Sequence, residues 1–107
     1  MEIVTYHFPN ESNTREAAKI IYRNINDNLG GRYSATVIVS NNHLQQRYGV
    51  YDSQDEEVMY FMVNAKNNPP YITFNYKSEV HRAVIEETIA KAAEEQEGVE
   101  QKSRVKA

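Results

Sequence analysis

Three histidines, His7, His43 and His81, are the side chains best suited to proton transfer or metal ligation near neutral pH. They fall on a predicted strand, a loop and a helix start. No pair has the HxH or HxxxH spacing that would bring two imidazoles to one metal. His81 has Glu79, Glu86 and Glu87 near it in sequence, a pattern that suits a pH-sensitive cap or an ordinary surface histidine. The chain has no cysteine, which excludes thiolate nucleophiles, disulfides and cysteine-ligated zinc. Asp52, Asp55, Glu56 and Glu57 cluster in one polar segment. They lack the alternating ligands and central glycine of a calcium loop, so the segment reads as a solvated turn. Glu86-Glu87 reads as the wet face of a helix. These residues form no catalytic constellation; no catalytic residue, metal or cofactor is expected, and the chain is not read as an enzyme.

The tyrosines carry more information. There are eight, and Tyr33, Tyr48, Tyr51, Tyr60, Tyr71 and Tyr76 all lie on predicted strands after the first helix. A tyrosine buries a large ring while keeping a polar tip, so it suits core margins and interfaces alike. One reading makes these residues cross-strand packing partners. The other makes part of them an aromatic surface that grips a partner. The candidate partner-binding set is Tyr48, Tyr51, Tyr60 and Tyr71, joined by Asn67 and Asn68 of the polar loop from Asn64 to Pro70. Base stacking is less suited, because basic residues are not interleaved with the rings.

These side chains must be positioned by regular elements. Val58 to Val63 is the longest apolar run. It is too short for a membrane span, and its composition suits a strand covered on both faces. Glu2 to Phe8 alternates as a half-buried strand that Pro9 ends. A helix is predicted over about Thr14 to Leu29, with Asn13 and Glu16 resembling a capping box and Ala17, Ile20, Ile21, Ile25 and Leu29 on one stripe. Gly30-Gly31 stops it. Arg32 to Ser40 and Arg47 to Asp52 read as strands, with Asn41-Asn42 as a turn and His43 to Gln46 ambiguous. Gly49 points to a bulge or a close backbone approach. Tyr71 to Tyr76 is the last predicted strand, after a loop held extended by Pro69 and Pro70. Ser78 is placed to cap a second helix over about Glu79 to Glu95, whose apolar face is Val80, Val84, Ile85, Ile89 and Ala92.

The order β-α-β-β-β-β-α has strand connections too short for crossovers. It predicts a single small α+β domain over 1–97, with an antiparallel sheet of four to five strands and two helices. Residues 98–107 read as a flexible charged tail. If the two helices share one sheet face, the other face needs a partner.

With 107 residues and a net charge of −3, the balance disfavours nucleic acid, which needs clustered Lys and Arg. Met1 to Phe8 does not resemble a signal peptide, and no stretch approaches a membrane helix. A cytoplasmic location is therefore expected. Frequent Asn, Tyr, Ile and Lys with few Gly and Pro match the usage of AT-rich genomes, including those of phages and other mobile elements.

The helix, three strands and helix resemble a double-stranded-RNA-binding domain in order. That family clamps phosphates with a Lys-rich start to its last helix. The matching stretch here, Lys77-Ser78-Glu79-Val80-His81-Arg82, has two cations and an acid, and the chain has an extra strand. Arg32 to Lys77, with Tyr48-Gly49-Val50-Tyr51 and an aromatic-rich strand, also resembles the strand region of dynein light chains. The latter resemblance implies dimerisation and capture of extended peptides at a sheet edge. No second helix precedes Arg32 as that family requires.

The sequence thus points to a non-enzymatic binding module, regulator or inhibitor. It would hold another protein, or itself as a homodimer, through a Tyr-rich sheet face or an edge strand. The rival reading is an RNA- or DNA-binding domain using Arg23, Arg32, Arg47, Lys77 and Arg82.

Overall fold

Backbone alternation and two amphipathic helices build the domain around the run from Val58 to Val63. The computed structural model describes residues 2–38, 46–95 and, as backbone only, 100–106. The elements are β1 (Glu2–His7), α1 (Glu11–Asn28), β2 (Tyr33–Ile38), β3 (Gln46–Asp52), β4 (Glu57–Asn64), β5 (Tyr71–Tyr76), α2 (Glu79–Glu94) and β6 (Glu100–Lys106). They form one sheet in the order β2-β3-β4-β5-β1-β6, with every neighbouring pair antiparallel. The expected α+β class, with an antiparallel sheet and two helices, is the class adopted. Among the described residues no helix is long and apolar enough to cross a membrane.

Helix α1 begins three residues earlier than the periodicity indicates. Asn10, not Asn13, is the cap: its side-chain oxygen accepts the Asn13 backbone N–H at 2.8 Å, and Thr14 Oγ1 donates to the Asn10 carbonyl at 2.7 Å. The first turn is polar, so hydrophobic spacing could not reveal it. At the other end Gly31 takes φ +96°, a left-handed conformation that a side chain would strain. Ser78 stands at the cap of α2 but makes no side-chain cap bond.

Both helices lie on one face of the sheet. α1 packs against α2 and over β2, β4 and β5, and α2 packs over β5. Beneath them, Tyr48, Phe61 and Phe74 form an aromatic row across β3, β4 and β5. Tyr48 stacks on Phe61 at 4.7 Å between centroids, and Phe61 meets Phe74 at 5.3 Å. Tyr6 of β1 adds an edge-on contact to Phe74 at 5.9 Å. Such pairs contribute about 0.5–1.5 kcal/mol each beyond simple burial. Ile21 and Ile25 of α1 and Ile85 and Ile89 of α2 close the core from above. Val80, expected on the apolar face of α2, is 76% exposed, because the buried positions of α2 begin only at Ile85.

Arg82 ties α2 to the sheet. Its guanidinium bonds Glu2 of β1 at 2.8 Å and also pairs with Glu79 and Glu86 on its own helix. Glu2 is buried, so this charge needs its partner.

Two expectations are corrected. The stretch 98–107, read as a tail, contributes β6, which runs antiparallel beside β1 and makes the sheet six-stranded. An edge strand is held by main-chain bonds to its neighbour, and these leave no apolar signature in the sequence. Among the described residues the central strand is also not covered by helices on both faces: they lie over Met59, Phe61 and Val63. The expected turn at Asn41-Asn42 and the residues His43 to Gln45 fall outside the described residues.

Candidate functional site

With both helices on one side, strand alternation assigns a second set of side chains to the uncovered face. Ile3, Thr5 and His7 of β1 oppose Asn75, Thr73 and Tyr71 of β5. Asn75 and Thr73 in turn oppose Tyr60 and Met62 of β4, which sit beside Gly49 and Arg47 of β3. Val58 and Asn75 are buried among their neighbours, while Tyr60, Met62, Tyr71, Tyr51 and Ile3 are half-buried. Tyr51, Tyr60 and Tyr71 of the candidate set therefore share this face. Tyr48 does not. It lies on the helix-covered side, where burial, and then the Tyr22 hydroxyl, hold its phenol above the usual tyrosine range. Asn67 and Asn68 are exposed in the loop between β4 and β5, whose Asn68–Pro69 peptide is cis.

A polar knot occupies one part of the face. Glu57 Oε1 receives Arg47 Nη2 at 2.9 Å and Lys77 Nζ at 2.7 Å. The Arg47 guanidinium also lies 4.2 Å from the centre of the Tyr60 ring, within cation–π range. Burial pushes the Glu57 carboxyl up, but the hydrogen bonds from Lys77 and Arg47 outweigh it and hold the group below the usual glutamate range. Gly49 makes room for this arrangement. A Cβ there would stand 2.9 Å from both Glu57 Oε2 and the Tyr51 hydroxyl, so the close approach expected at this glycine is present. The irregularity in β3 pairing comes one step later, between Val50 and Tyr51.

At the other end His7 lies 5.6 Å from Tyr71, centroid to centroid, and its Nδ1 is buried with no hydrogen-bond partner among the described residues. His81 lies on the helix side and makes a contact that its sequence neighbours did not indicate. Its Nδ1 shares a hydrogen bond of 2.7 Å with the Tyr33 hydroxyl, which ties α2 to β2. The acidic segment is a turn held by Asp52, whose Oδ1 accepts the Gln54 and Glu56 backbone N–H groups. Among the described residues no group of His, Cys, Asp and Glu could hold a metal ion.

The edge strand β2 is guarded. The Asn26 side chain donates to the Ala35 carbonyl at 3.2 Å and accepts the Ala35 N–H at 3.0 Å. The Tyr33 N–H is taken by the Leu29 carbonyl. A peptide adding to this edge would have to displace Asn26.

The five cations of the nucleic-acid reading are not brought to one surface. Arg47 and Lys77 meet at Glu57, Arg82 is enclosed by three carboxylates, Arg23 lines a groove beside α1, and Arg32 lies over Tyr33.

Sequence reasoning placed Glu57 in a solvated turn; it instead begins β4, half-buried and paired with Arg47 and Lys77. The only signal was Glu57's place directly before the apolar run, and its partners come from residues ten and twenty positions away.

No protein-family model matches this chain, and no curated protein matches it. Function has to be read from geometry.

Proposed function

We propose that the chain is a non-enzymatic binding protein that holds another protein against its uncovered sheet face. One observation carries this reading: both helices lie on the same side of the sheet, and the opposite side presents half-buried Tyr51, Tyr60, Met62 and Tyr71, over which neither helix passes. Aromatic and methionine side chains grouped on one surface are the composition of interface cores. The Asn26 cap favours the face over the β2 edge, since strand addition would meet an occupied backbone. A role as a regulator or inhibitor, and a cytoplasmic location, belong to the same proposal.

The test is site-directed photo-crosslinking in extract of the source cells. A photoreactive residue replaces Met62 on the face in one sample and Val80 on α2 in another. A discrete protein adduct from position 62 and none from position 80 supports the proposal. An adduct of twice the chain mass would identify the partner as a second copy. Crosslinking from neither position, or equally from both, sinks it.

A further inference from the structure

A groove between α1 and the sheet edge lies on the helix-covered side, away from the face just described. Its volume is about 590 Å3, and Lys19, Tyr22, Arg23, Asp27, Val37 and Tyr48 line it. That size is within the range of clefts that hold a small ligand, about 300–1,000 Å3. Tyr22 and Val37 are 38% and 40% exposed, and together they are two of the three large hydrophobic residues exposed among the described residues. Both open into this one groove, beside Tyr48, whose ring centre lies 5.7 Å from that of Tyr22. The apolar exposure is thus concentrated rather than scattered.

The rim is charged in a particular sense. Lys19 and Arg23 stand one turn apart on α1, and neither forms an ion pair among the described residues. Arg15, a turn earlier, is already held by Glu11. Asp27 is the only carboxylate in the lining. On a chain whose net charge is −3, two unpaired cations over an apolar floor invert the local sign. At Ala35 the back wall is closed to main-chain pairing, because the Asn26 amide is bonded to both of its polar groups. This favours an occupant that binds through side chains.

We infer that this groove binds an acidic peptide segment of a partner protein. An aromatic side chain of the segment inserts between Tyr22, Val37 and Tyr48, and flanking carboxylates meet Lys19 and Arg23. Charge complementarity selects acidic over basic segments, and the aromatic floor selects a ring over a polar side chain. This inference does not depend on the open face, because the two surfaces lie on opposite sides of the sheet.

The test is amide NMR on the full chain with three short capped peptides: one with a central Phe flanked by Asp and Glu, one with the same Phe flanked by Lys, and one with Ser in place of Phe among the acids. The expected result is a set of shifts at Lys19, Tyr22, Arg23 and Val37 with the first peptide alone. Affinity should fall by about tenfold when Lys19→Glu and Arg23→Glu are combined, a change of about 1.4 kcal/mol. Both residues are exposed, so the fold should survive; the milder Lys19→Gln with Arg23→Gln repeats the measurement if it does not. Absence of shifts, equal shifts from the Lys peptide, or shifts confined to the open face would overturn the inference. So would a short oligonucleotide that shifts these amides when the acidic peptide does not.

Discussion

The ion pairs on the open face differ in what they contribute, and Glu57 shows how. Its carboxylate is largely buried, with 15% of the side chain exposed, but Lys77 is 41% exposed and solvent screens that pair. The Glu57 value in the folded chain lies below that in the unfolded chain. Its stabilisation is therefore present above the ordinary glutamate value of about 4.3 and is lost as pH falls through the lower folded value. Glu57→Gln should cost about 1 kcal/mol or less at neutral pH and should flatten part of the loss of stability on acidification. Urea denaturation at a series of pH values checks this. An unchanged pH slope would mean that Glu57 is not held by Lys77 and Arg47 in solution. Glu57 was legible only as an acid in a polar run, because its partners depend on the register between β3 and β4.

At the scale of elements, two strands that would otherwise present an open edge are covered by different devices. β2 is capped by a side chain from α1, and β1 is covered by β6, which takes the edge position. Asn26→Ala should remove both hydrogen bonds to Ala35, and one to the Tyr22 carbonyl, and cost about 1–2 kcal/mol. It should also leave the Ala35 backbone open to pairing, so the variant should self-associate more than the parent chain at equal concentration. Light scattering after size-exclusion chromatography reads the second effect. A variant that loses stability without associating would argue that the cap is structural only. Removal of residues 98–107 should expose the outer edge of β1 and lower the thermal midpoint. An unchanged midpoint would show that β6 adds nothing to the fold. The helices and five of the six strands were readable from period and punctuation. Asn26 was readable only as a wet-side residue of α1, and its bond to Ala35 spans a helix end and a turn.

For the whole molecule, the two faces of β4 separate stability from recognition. Phe61 and Tyr60 are neighbours in sequence on opposite sides of the sheet. Phe61→Ala removes the centre of the buried aromatic row and should cost about 3–5 kcal/mol in chemical denaturation. Tyr60→Ala lies on the uncovered side and should cost about 1 kcal/mol or less, while abolishing the crosslink from position 62. Equal destabilisation by both would mean that the second face is core. From its residues alone, this chain determines an antiparallel α+β domain, because hydrophobic period, capping and turn chemistry act over a few neighbours. It also determines which side chains share a strand face, since alternation is local. It does not determine where the helices go. Two amphipathic helices can cover one face or one each, and only their mutual packing, with Arg82 reaching Glu2 and Tyr33 reaching His81, placed both on the same side. That tertiary choice turned half of the apolar run from core into a candidate surface.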